Sequence, residues 1–323
     1  MLIKRPPGVL RAAFWLIAAL LVTGCGAPLQ IDHLLKSPDA IGPPVELTAV
    51  PFFPQEDFQC GPAALATVLN WSGTAVTPEA LAPLVYLPER QGSLQVELLA
   101  ATRRAGRIPY LIQPKLETLL AEVRAGNPVL VLQNLGLSWY TKWHYAVVVG
   151  FDLRQDVVIL RSGRERRHLL PFKLFERTWR RGDYWAVVAL PPDRLPASAE
   201  EMPFLRSVAG LERLQRWQEV KTAYTSALTR WPDSTAARMG LGNSLYAMKD
   251  LPGAEQAYRH VTLANPTLAP AFNNLAQVLA EQGRLQEAEQ AARRAVSLGG
   301  PLLASYEETL QQILVLQSRE NQN

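Results

Sequence analysis

The chain has 323 residues, 48% hydrophobic and 19% charged, enough for two ordinary domains and unlike a disordered or fibrous composition. Its formal charge is +4, but three basic and no acidic residues fall within 1–24. Beyond residue 24 the charge is therefore +1, and the balance gives no ground for nucleic-acid binding.

The first 24 residues read as a segment apart. Lys4, Arg5 and Arg11 precede an 11-residue apolar run at 12–22, short for a membrane span and suited to a signal peptide. The run leads into Leu21-Val22-Thr23-Gly24-Cys25, which resembles a bacterial lipobox. That resemblance implies cleavage before Cys25, lipid on its thiol and new N-terminus, and an envelope location facing the periplasm. Gly26, in place of Asp, points to the outer membrane. An ordinary signal peptide or an uncleaved anchor is the alternative. If Cys25 carries lipid, Cys60 is the only other cysteine and has no internal disulfide partner.

Residues 25–45 are rich in proline and polar side chains and read as a tether, with His33 incidental to any site. A short strand is expected over 45–53, leading into QEDFQCGPAALATVLN at 55–70. Here Gly61 permits a close approach, Pro62 suits the first helical turn, and the alanine- and leucine-rich run continues the helix. Cys60 then sits at a helix N-terminus, where unpaired N–H groups and the helix dipole favour thiolate. Gln55 offers an amide that can fold back over the same point. The alternative is that Cys60 is a small buried hydrophobe.

Thr77-Pro78-Glu79 marks the start of a helix over 77–84, and another spans 93–105 with Leu94, Leu98, Leu99 and Ala101 inward. A strand over 108–112, a helix over 116–125 closed by Gly126, and strands over 128–132, 145–151, 157–160 and 185–190 follow. Helices first and antiparallel strands afterwards predict an α+β domain across 46–192, with prolines 191, 192 and 196 marking a linker at 193–200.

Beyond the linker the period changes. Pro232 and Pro266 are 34 residues apart, and Pro301 follows 35 later. Small and large residues recur between them: Gly242, Leu245, Ala254 and Tyr258, then Leu275, Ala276, Leu279 and Ala288. The pattern resembles the tetratricopeptide repeat and implies an all-α solenoid over 201–318, three helical hairpins plus a capping helix.

A thiol nucleophile needs a base. His33 is in the tether, His260 in a repeat helix and His168 in an expected Arg-rich loop, whereas His144 immediately precedes an apolar strand that would hold it rigidly. A histidine satisfied at a strand end is the structural alternative.

With these residues in place, 46–192 resembles the bacteriocin-processing, double-glycine leader peptidases and their papain-like relatives. The matching elements are Gln55 before QCGPAAL, GNPVLVL at 126–132, HYAVVVGFD at 144–152 and FKLFERTWRRGDYWAVV at 172–188. The resemblance implies a papain-like fold, Cys60 as nucleophile, His144 as general base and acid, and Gln55 with the Cys60 N–H as oxyanion hole. It departs at the orienting acid: ILRSG at 159–163 places Ser162 where such peptidases carry Asp, so Ser162 is the candidate for the orienting position.

The arginines between 161 and 181 read as a solvated face or as a basic rim for acidic peptides or lipid headgroups. No metal-ligand spacing, dinucleotide fingerprint or phosphate loop is present, so no cofactor and no metal are expected. Two functional readings stand. One is an envelope lipoprotein whose peptidase domain cleaves a peptide or amide bond through an acyl-enzyme on Cys60, with the repeats holding a protein partner or substrate. The other is a non-catalytic peptide-binding module that assembles an envelope complex.

Overall fold

The computed structural model describes residues 29–36, 41–54 and 59–320. The expected signal sequence, Cys25 and Gln55 lie outside the described residues.

The organising element is a seven-stranded antiparallel sheet in the order β4 (Ile108–Leu111), β9 (Ala186–Leu190), β5 (Val129–Asn134), β6 (Trp143–Asp152), β7 (Val157–Ser162), β8 (Glu165–Pro171), with β1 (Val45–Glu46) pairing on β6. Strand β5 is buried at every residue, because both sheet faces are covered. On one face lie α2 (Cys60–Trp71), α3 (Pro78–Val85) and α4 (Gln95–Arg104), whose Leu65, Leu69, Leu81 and Leu98 pack against Tyr145, Val147 and Val149. On the other lie α1 (Ile31–Leu34), α5 (Leu116–Arg124) and α6 (Phe172–Arg180), packed against Ala146 and Val148. The strict alternation along β6 assigns neighbouring side chains to opposite layers. A small two-stranded ribbon, β2 (Tyr86–Leu87) with β3 (Gly92–Ser93), closes over the first layer.

Three expectations change. The strand expected over 45–53 is only two residues long, because the carbonyls of Leu47, Thr48 and Val50 are taken by the buried guanidinium of Arg161 rather than by a neighbouring strand. The Arg-rich stretch expected as a loop around His168 is strand β8, paired with β7 through a tight turn at Gly163, whose φ of +58° suits glycine. The stretch read as a tether is partly built into the domain. Ile31 and Leu34 are in the core, and the backbone N–H groups of Gln30 and Ile31 donate to the buried carboxylate of Glu176 at 2.7 and 2.8 Å.

The segment read as a linker is also fastened. Buried Glu122 accepts from Asn127 Nδ2 at 2.7 Å, from the N–H groups of Ala197 and Ser198 at 3.2 and 2.8 Å, and from Ser198 Oγ. Past it, α7 (Glu201–Glu212) and α8 (Trp217–Arg230) place Phe204, Val208, Leu211 and Val220 in the same core as the sheet. Each such buried side chain contributes about 1.5–3 kcal/mol, so the first hairpin is seated on the sheet domain rather than swinging from it. Hairpins α9 (Thr235–Ala247) with α10 (Leu251–Ala264) and α11 (Ala269–Glu281) with α12 (Leu285–Leu298) follow, then the 18-residue α13 (Leu303–Glu320). Small residues set their spacing: a Cβ at Gly240 would stand 2.2 Å from the Tyr224 ring. Among the described residues, no helix is long and apolar enough to cross a membrane.

Candidate active site

Cys60 is the first residue of α2, and the helix behind it is buried from Gly61 to Leu69, which fixes the thiol against the sheet. Gly61 is required there, since a Cβ would stand 2.2 Å from Ser93 Oγ on β3. Burial pushes the Cys60 thiol up, against the pull of the backbone N–H groups of Tyr145, Gly61 and Cys60 itself. Those three N–H groups mark the place where negative charge on sulfur would be received. The thiol therefore lies beside the backbone of the residue that follows His144.

Tyr145 locks this contact. Its ring packs edge-on against Trp185 with centroids 5.8 Å apart, and its hydroxyl donates to the Ser93 carbonyl at 3.2 Å. Burial raises the Tyr145 phenol, so it stays neutral and serves as a structural clamp.

His144 stands opposite Gln133 on β5, and its Nε2 hydrogen-bonds to Ser162 Oγ at 2.8 Å. Ser162 ends β7, and Gly163 turns the chain immediately afterwards, so the hydroxyl is held on a rigid edge. With Nε2 engaged, Nδ1 is the nitrogen left for proton transfer. The imidazole lines a cavity of about 190 Å³ walled by Gln133, Leu135, Ser162, His168, Leu174 and Thr178. Burial, with His168 and Lys142 as positive neighbours, lowers His144 to about 4. His168 is itself paired with Glu165 at 3.1 Å.

Both shifts favour neutral groups. A buried thiol raised and a buried imidazole lowered make the resting pair thiol and imidazole, and no hydrogen bond joins Cys60 to His144 among the described residues. An Asp in place of Ser162 would favour imidazolium; the serine hydroxyl only orients the ring.

Of the expected site residues, His144 and Ser162 meet on the α6 side of the sheet, Cys60 lies in the α2 layer beside the backbone of Tyr145, and Gln55 and Cys25 are not described. Asp152 and Asp156 bracket the β6–β7 turn, with Asp152 Oδ1 accepting from Arg154 N–H at 2.9 Å, far along the strands from His144. Ser93, expected as the start of a helix, lies in strand β3 with the helix beginning at Gln95, and His168, set aside as a loop residue, lies in strand β8 against the His144 cavity. The ribbon fold that brings Ser93 under Gly61 leaves no pattern in sequence, whereas Ser162-Gly163 between two β-prone runs was a usable hairpin signal for the strand carrying His168. The arginine cluster divides. Arg161 is buried and holds backbone carbonyls, Arg167 pairs with Glu46 at 2.9 Å, and Arg177, Arg180 and Arg181 belong to the α6 end. Among the described residues, no group of three or more His, Cys, Asp or Glu side chains is placed to hold a metal.

Comparison with known proteins bears on the two domains. Residues 47–184 match the Peptidase_C39 like family, and 210–269 and 269–299 match tetratricopeptide repeats. The chain thus carries an α+β domain of the C39-like peptidase class followed by a run of tetratricopeptide-repeat helices. Among solved structures, a protein from Bacillus anthracis described as C39-like is 20% identical, covering 46% of this chain and 97% of that one with a TM-score of 0.39. The secretion chaperone SycD of Yersinia enterocolitica, in complex with a peptide of the translocator YopD, is 16% identical, covering 36% and 93%, with a TM-score of 0.34. MamA of Desulfovibrio magneticus is 23% identical, covering 37% and 67%, also with a TM-score of 0.34. No curated protein matches.

Proposed function

We propose that the protein is a cysteine peptidase that cleaves a peptide or amide bond through an acyl-enzyme on Cys60, with the repeats recruiting the substrate or a protein partner. The observation that carries this reading is the 2.8 Å bond from His144 Nε2 to Ser162, one residue from the backbone N–H that faces the Cys60 thiol. Both groups rest neutral, so in this reading the His144 ring turns from its α6-side cavity toward the thiol and acts as a general base: Nδ1 takes the thiol proton as sulfur adds to the carbonyl carbon. The same proton then goes to the departing amine, and water releases the acyl group by the reverse route. The Cys60 N–H, with Gln55, receives the oxyanion in this reading.

The neutral resting pair also favours a second reading, in which the domain binds a peptide segment without cutting it. One experiment separates the two. Protein carrying Cys25→Ser, so that Cys60 is the sole thiol, is incubated with an activated peptide ester, and the acyl adduct on Cys60 is followed by mass spectrometry. The peptidase reading expects adduct that falls by about 10²-fold or more in His144→Ala. Equal acylation with and without His144 leaves the binding module.

We further propose a lipid anchor on Cys25 and an envelope location, supported by the lipobox-like sequence at 21–25. Labelled fatty acid that enters the wild type and not Cys25→Ser is the expected outcome; equal labelling refutes it.

A further inference from the structure

The β5–β6 connection is a built hairpin with an unusual tip. Asn134 Oδ1 accepts from the N–H groups of Gly136 and Lys142 at 3.0 and 2.9 Å, and Leu137 and Tyr140 exchange backbone bonds at 2.9 and 3.2 Å. Gly136 is needed for that closure, since a Cβ there would stand 2.2 Å from the Tyr140 carbonyl oxygen. This rigid frame pushes apolar groups into solvent: Leu137 is 53% exposed, Trp139 81%, Tyr140 71% and Trp143 52%. Isolated exposed leucines are ordinary, but two tryptophans and a tyrosine on one ordered tip are not.

Helix α6 lies beside the hairpin. Its inner face buries Phe172, Phe175 and Trp179, while its outer ridge exposes Lys173, Leu174, Arg177 and Arg180 and carries no acidic residue. Arg181 Nε donates to the Asn134 carbonyl at 3.1 Å, tying the end of this ridge to the hairpin base. On its other flank α6 holds the N-terminal segment, through Glu176 to Gln30 and Ile31 and through Lys173 to Asp32 at 3.0 Å. The helix has nine residues, a length of about 14 Å, so the two attachments are close together. Cys25, the proposed lipid site, stands four residues before Leu29, a reach of at most about 14 Å.

We infer that the hairpin tip and the basic ridge of α6 dock onto the surface of an anionic phospholipid bilayer. Tryptophan and tyrosine are suited to the headgroup boundary, with an apolar ring on one side and a polar atom on the other. Lysine and arginine on an amphipathic helix complement anionic headgroups. Residues 30–32 are held against the same helix, so a membrane carrying the proposed lipid on Cys25, the reading on which this step rests, lies within reach of both elements. The His144 cavity opens between them, with Leu135 of the hairpin and Leu174 of α6 in its walls. A peptide lying at the bilayer surface would meet that cavity directly. The inference is independent of Cys60 chemistry.

The test uses full-length protein reconstituted in phosphatidylglycerol–phosphatidylcholine vesicles whose acyl chains are brominated near the headgroup, with tryptophan quenching as the readout. Trp15 lies in the apolar run, so all proteins carry Trp15→Phe. The expected result is quenching that falls to below about half when Trp139→Phe and Trp143→Phe are added, since phenylalanine keeps the apolar surface and removes the emission. Arg177→Glu with Lys142→Glu lowers the quenching as well. Quenching that is absent, or unchanged by the two phenylalanines, overturns the proposal and leaves the hairpin in water, as the lip of a protein-binding cleft would be.

Discussion

Ser162→Asp asks whether the hydroxyl at 2.8 Å from His144 occupies an orienting position that a carboxylate would turn into an ion pair. In the wild type, burial lowers His144 from 6.5 to about 4, a penalty of about 3 kcal/mol on the charged ring. A carboxylate about 4 Å from the imidazolium returns about 4 kcal/mol at an effective dielectric constant near 20, enough to offset that penalty. The His144 midpoint should therefore rise by about two pH units or more, and Ser162→Asn, which hydrogen-bonds without charge, should move it far less. The assay is a proton NMR titration of the four histidines, with the His144 signal assigned by its loss in His144→Gln. If His144 of Ser162→Asp still titrates near 4 in protein that unfolds as cooperatively as the wild type, Ser162 is not the orienting residue and the argument from the lost acid fails.

Other outcomes follow from the same geometry. His144 is neutral when folded down to about pH 4 but protonates near 6.5 when unfolded, so its contribution is fully present above 6.5 and about 3 kcal/mol is lost as pH falls to 4. Urea unfolding across that range should show the slope in the wild type and a flatter profile in His144→Gln. Glu122→Ala strands the buried amide of Asn127 and the part-buried N–H groups of Ala197 and Ser198 and should cost about 3 kcal/mol, read as a lower urea midpoint. An unchanged midpoint would show that the junction does not depend on that carboxylate. Gly240→Ala forces a methyl into the Tyr224 ring and should destabilise by about 1–3 kcal/mol, whereas Gly283→Ala meets no atom within 4 Å and costs only the strain of its φ of +78°.

Local chemistry was readable without the fold. Cys60 ahead of Gly61-Pro62 and an alanine-rich run dictates a helix that starts at the thiol, and Thr77 with Pro78 dictates the next start, where Thr77 does accept from the Ala80 N–H. The 34-residue proline spacing announced the hairpin stack, because each repeat must bury its apolar stripe against the next. His144 before an apolar strand, and Ser162 where an acid was expected, were both legible as residue types at the ends of strands.

What the tertiary structure alone decided is where buried charge and exposed apolar surface fall. Arg161, Glu122 and Glu176 look like surface residues in sequence, yet each is buried and satisfied by backbone groups far along the chain. Such pairings depend on which segments the sheet brings together, and no local period encodes them. For the same reason a tether and a linker became parts of the core, and Arg161 ended a strand by taking its carbonyls. The protonation of the candidate pair is likewise set by packing: a histidine and a cysteine have fixed intrinsic affinities for the proton, and only burial among Lys142, His168 and the α2 layer drives both to neutrality.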